Sequence, residues 1–99
     1  MKALVIFTAK TDNSIRNLSI VYKIVKYNDI YVAWCDFKNI FEARVFLAED
    51  VLYSLEFYQV NRDKILNGIM DDFHYNGVTI AIKKLDDRNK WLELAKNMT

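Results

Sequence analysis

At 99 residues with 53% hydrophobic content, the chain suits one domain with its own core and excludes a two-domain arrangement. Fourteen Lys and Arg against thirteen Asp and Glu leave a net charge of +1, so no global field draws it to nucleic acid or to an anionic membrane. A single cysteine, Cys35, excludes an internal disulfide and fits a reducing, cytoplasmic setting.

The apolar run Ala3 to Ala9 is too short to span a membrane and reads as a first strand. Leu4, Ile6 and Thr8 face one way and Val5, Phe7 and Ala9 the other, so both faces are expected to be buried. The polar run Lys10 to Asn17 turns the chain into a second strand, Leu18 to Tyr27, rich in β-branched and aromatic residues. Asn28-Asp29 tolerates positive φ and sets up a hairpin to a third strand, Ile30 to Phe37. After a turn at Lys38 to Phe41, Glu42 to Leu47 and Val51 to Val60 read as a fourth strand interrupted by a bulge at Ala48-Glu49-Asp50.

The period then changes. With Asn61 as N-cap, Ile65, Leu66, Ile69, Met70 and Phe73 recur at helical spacing and predict a helix packed on the sheet. Asn76-Gly77 marks a turn, and Val78 to Leu85 alternates as a further strand. Asp86-Asp87 can cap a last helix whose Trp91, Leu94, Ala95 and Met98 share one side. Proline is absent and only Gly68 and Gly77 are present, so there is no linker composition at which to divide the chain. The expected class is α+β within a single domain over 1–99: an antiparallel unit over residues 1–60, then helix, strand and helix over 61–99.

Ile6, Arg16, Tyr22 to Val25, Asn28-Asp29, Ile30 to Cys35, Phe41, Arg44-Val45-Phe46 and Val51 together resemble the WYL domain, a small Sm-like or SH3-like β-barrel. The resemblance covers residues 3–57. Ile30-Tyr31-Val32 stands where the name-giving tripeptide would be, and Arg44-Val45-Phe46 looks like the start of the second conserved element. Ile30 replaces the tryptophan, whereas Leu47 and Asp50 occupy positions where that pattern carries cations. The resemblance implies a Sm- or SH3-like barrel or curled sheet and a regulatory module. WYL domains commonly sit behind DNA-binding domains in bacterial transcription factors, and some respond to nucleotides or single-stranded DNA.

Ligand binding is therefore expected at Arg44, Tyr31 and Arg16. An Arg on a strand beside aromatic rings can grip a phosphate bidentately while a base stacks on Tyr31 or Phe46. The competing reading pairs Arg44 with Glu42 or Glu56 on a solvent face, an arrangement worth about 0–1 kcal/mol. A second hypothesis is a protein–protein interaction module, such as a phage or mobile-element protein that occludes a host factor. Two Trp, six Tyr and six Phe exceed what so small a core needs, and exposed sheet edges or the last helix offer a route to a homodimer. Under either reading the module is intracellular, non-enzymatic and without a cofactor.

The remaining chemical residues have simpler roles. Cys35 lacks a nearby base in the sequence and reads as a small core residue. His74 with Asp71 and Asp72 is a thin donor set for a metal and more simply ends a helix. Glu49-Asp50 and Asp86-Asp87 fall at bends, where solvated or capping carboxylates are the rule.

Overall fold

A computed structural model describes residues 1–8, 18–27, 30–75 and 77–85. Strands β1 (Lys2–Phe7), β2 (Val21–Tyr27), β3 (Ile30–Asp36), β4 (Asp72–Tyr75) and β5 (Val78–Leu85) form one antiparallel sheet in the order β2-β3-β1-β5-β4. The apolar first strand takes the centre, because only a strand hydrophobic on both faces can be covered from both sides. Ala3, Val5 and Phe7 are buried on one face and Leu4 on the other. Between β4 and β5, Gly77 adopts φ +78, which a glycine permits without a Cβ clash.

The α+β class with an antiparallel sheet stands; of the barrel or curled sheet expected over residues 1–60, the closed barrel does not form, because the sheet is open. Two physical causes account for this. The second edge of β1 pairs with β5, register Val5 with Ile82, so the first three strands do not close on themselves. The expected fourth strand is also helical. Helix α1 (Ile40–Val45) runs directly into a π-helical turn (Phe46–Val51), and α2 spans Glu56–Leu66.

Local chemistry explains these helices. Asn39 caps α1, its side-chain oxygen accepting from the Glu42 backbone N–H at 3.0 Å, while the Glu42 carboxylate reaches back to the Lys38 N–H. Ala43, Phe46, Leu47 and Val51 then fall on one stripe, and the Leu52 N–H bonds the Leu47 carbonyl five residues back at 2.9 Å. The wider turn adds Ala48 to the buried face. Asn61 lies inside α2 and is not its cap; its side-chain amide donates to the Phe57 carbonyl.

Helix α2 stops at Leu66 and does not run on to Phe73. Gly68 sits at φ +80, and the Gly68 and Ile69 N–H groups bond the carbonyls of Ile65 and Lys64, the Schellman arrangement that ends a helix. Phe73 belongs to β4, a strand the periodicity did not suggest, and stacks on Phe57 with ring centroids 5.6 Å apart.

The helices cover one face of the sheet. There Ala3, Val5, Phe7, Ala33, Cys35 and Ile80 meet Phe46, Leu47, Leu52 and Ile65, and each large apolar side chain buried contributes about 1.5–3 kcal/mol. Leu4, Val32, Trp34 and Ala81 are buried on the opposite face, outside that cluster. Among the described residues Trp34 Nε1 has no hydrogen-bond partner, a cost of about 1–3 kcal/mol set against burial of its large ring. Among the described residues no helix is long and apolar enough to cross a membrane. Asn28-Asp29, Asp86-Asp87 and the helix expected at Trp91 to Met98 lie outside the described residues.

Candidate functional site

Arg44 was expected on a strand rim and instead lies on α1, facing the start of β4. The Ile82 N–H donates to the Asp71 carbonyl at 2.8 Å, which extends the β4–β5 ladder by one residue. In the alternation that places Phe73 against the helix layer, Asp71 falls on the same side and meets Arg44. Nε donates to Oδ1 at 3.0 Å and Nη2 to Oδ2 at 2.7 Å. These hydrogen bonds, ahead of any other influence, push the guanidinium's affinity for its proton above the ordinary value. Arg44 is thus paired, but with Asp71 and not with Glu42 or Glu56.

The guanidinium lies across Gly68, where a Cβ would fall 2.3 Å from Nη2. Tyr31 is engaged elsewhere. Its ring stacks on Phe7 at 5.7 Å and 16°, and Lys26 Nζ stands 5.9 Å from its centroid. The two residues expected to share a ligand therefore have different partners, and the third, Arg16, lies outside the described residues.

Burial pushes the Cys35 thiol up to about 12, so at neutral pH it is a protonated core group and not a nucleophile. His74 is exposed, its Nδ1 2.6 Å from Thr79 Oγ1. Asp71 is committed to Arg44, and no group of three His, Cys, Asp or Glu among the described residues is placed to hold a metal ion. Glu49 joins a network on the helix layer: the Tyr58 hydroxyl donates to its Oε2 at 3.3 Å, while Arg62 donates from Nε to the Tyr58 oxygen and from Nη2 to Glu49 Oε1, both at 3.0 Å.

The accessible feature is the sheet's β2 edge. In the described sheet β2 has a neighbour on one side only, whereas the opposite edge, β4, is four residues long and carries exposed Asp72 and His74. The register shifts between Val21 and Lys23, a bulge that displaces Tyr22 from the ladder. Tyr22 is 60% exposed, and an open cleft of about 230 Å³ is lined by Val21, Tyr22, Lys23 and Ile24. The only charged residues of β2 are Lys23 and Lys26, and neither joins an ion pair among the described residues. Comparison with known proteins finds no matching family model, no matching curated protein and no matching solved structure.

Sequence reasoning missed this edge because the hairpin pattern of residues 18–37 says which strands pair, not which is outermost. The edge position of β2 follows only once β5 inserts beside β1. The two lysines were legible, since lysine on a strand is a common guard of sheet edges.

Proposed function

We propose that this protein is an intracellular, non-enzymatic interaction module that docks another protein along the β2 edge. The observation that carries the reading is a seven-residue edge strand bordered by an open cleft at its bulge. Among the described strands β2 has a neighbour on one side only, and an added strand is a common way for one protein to join another's sheet. A WYL-like nucleotide or single-strand sensor is the less favoured reading. It places the phosphate at Arg44, and Arg44 already spends its bidentate face on Asp71.

A photo-crosslinking side chain placed at Tyr22 is expected to give a discrete protein adduct in native extract. The same group at Val60, 78% exposed on α2, is expected to give none. Equal labelling from both positions would remove the assignment to this edge. Thermal stabilisation by a nucleotide panel, lost in Arg44→Ala, would instead favour the ligand sensor.

A further inference from the structure

We propose that Asn67-Gly68 is a site of spontaneous deamidation, and that the Arg44–Asp71 ion pair sets its rate by holding the end of α2 closed. Asparagine before glycine is the pair in which this chemistry is least hindered, because glycine puts no side chain beside the attacking nitrogen. The chain has two such pairs, at 67–68 and 76–77. Asn67 is exposed, so water and base reach its amide.

In the reaction the Gly68 backbone nitrogen gives its proton to base and attacks Asn67 Cγ. A carbon–nitrogen bond forms, the Cγ–Nδ2 bond breaks, and Nδ2 leaves as ammonia with a proton returned by the base. Water then opens the five-membered imide at either carbonyl, leaving aspartate or isoaspartate; nothing is oxidised or reduced. Either product loosens the helix end that made it. A carboxylate there opposes the helix dipole, and isoaspartate adds a methylene to the main chain where the Schellman bonds need a fixed register.

The folded end of α2 opposes the first step twice. Asn67 has ψ 1, which turns the Gly68 nitrogen toward Asn67's own nitrogen, whereas ring closure needs it eclipsed with Cβ. The Gly68 N–H also donates to the Ile65 carbonyl at 3.1 Å, which holds its proton in place. Both obstacles fall only when this end opens. Opening is resisted by the Ile69 N–H on the Lys64 carbonyl at 2.9 Å and by the Arg44 guanidinium, which lies across Gly68 and is anchored on Asp71 by two hydrogen bonds. The last contact is tertiary, so it couples a local chemical rate to the joint between the helix layer and β4. At the second pair a Cβ on Gly77 would meet nothing within 4 Å, so no side chain lies across that glycine. Position 76 therefore serves as a reference within the same molecule.

The test incubates the full chain in mildly alkaline buffer below its melting temperature and follows amide-to-acid conversion at each asparagine by peptide mapping and mass spectrometry. The native chain unfolded in urea supplies the reference rate. Folding is expected to slow position 67 at least roughly tenfold against that reference, and Arg44→Ala and Asp71→Asn are each expected to raise the folded rate roughly tenfold. Position 76 is expected to change by less than about twofold in the same variants. Circular dichroism shows whether they are folded; if neither is, Arg44→Lys carries the test, with an expected rise of about threefold because an ammonium keeps only part of the contact.

Equal rates at position 67 in the native chain and the folded variants would overturn the control by Arg44. Equal acceleration of positions 67 and 76 would overturn it too, since that marks a general loosening. A folded rate matching the rate in urea would remove the protection by the helix end, and no conversion at position 67 in urea would remove the site itself.

Discussion

Arg44 on α1 and Arg62 on α2 each hold a carboxylate, yet they do so under different conditions. The Arg44 and Asp71 side chains are 21% and 31% exposed, are joined by two parallel hydrogen bonds, and tie the helix layer to the first residues of the C-terminal hairpin. Arg62 and Glu49 are 51% and 40% exposed and link α2 to the π-helical turn, with the Tyr58 hydroxyl between them. The first pair is partly desolvated, so losing one partner strands a charge in poor solvent. Water and salt can replace the second. Identical chemistry thus serves as a tertiary clamp in one place and as surface trim in the other.

Gly68→Ala gives the largest expected effect, because it acts on the clamp and on the backbone together. Alanine at φ +80 costs about 1–2 kcal/mol, and its Cβ would meet three atoms of a guanidinium already fixed by Asp71. A total loss of about 2–3 kcal/mol in urea denaturation is expected, the excess reflecting partial loss of the ion pair. Gly77→Ala is the control, since φ is similar there but its Cβ would meet nothing within 4 Å. Equal losses at the two glycines would show that Arg44 can yield freely.

Arg44→Ala comes next, with an expected loss of about 1–2 kcal/mol, between the values for exposed and fully buried pairs. Arg44→Lys should recover only part of it, since an ammonium cannot reproduce the two-pronged contact. In the Gly68→Ala background the arginine substitution should cost less than in the native chain, because the two residues touch. Full additivity in that cycle would contradict the clamp.

The hairpin of β2 and β3 and the central β1 could be read from residue alternation alone, since both periods and turn residues point the same way there. Residues 42–60 could not be read so simply. Val45, Phe46, Val51, Tyr53 and Phe57 favour strands by type, and tertiary packing overrode that preference. The decisive local sign was the Asn39-x-x-Glu42 capping pair, split between a segment read as a turn and the start of one read as a strand. Gly68 was a second sign, a natural helix stop. The site follows the same logic. Arg44 was visible as a cation among aromatic residues, but its partner lies 27 positions away and depends on where α2 ends.

Around the second pair the effects shrink and one changes sign. Burial, and secondarily the neighbouring Glu49, push the Asp50 carboxyl above the usual carboxylate range. The folded chain therefore holds that proton more tightly than the unfolded chain does, and ionised Asp50 opposes folding at neutral pH. The penalty is relieved as pH falls through the folded-state value. Asp50→Asn should raise the denaturation midpoint slightly at pH 7 and lose its advantage in acid; a fall in the neutral-pH midpoint would contradict this sign.

Arg62→Ala should have the smallest effect. Its removal leaves the Tyr58 hydroxyl still donating to Glu49, so no buried polar atom is orphaned, and solvent reaches both former partners. The expected outcome is a denaturation midpoint indistinguishable from that of the native chain at physiological salt. A loss comparable to that of Arg44→Ala would mean that the Tyr58 bridge couples α2 to the π-helical turn more strongly than its exposure allows. Repeating the measurement in high salt separates the cases, because a solvated network weakens there while the Arg44 clamp persists.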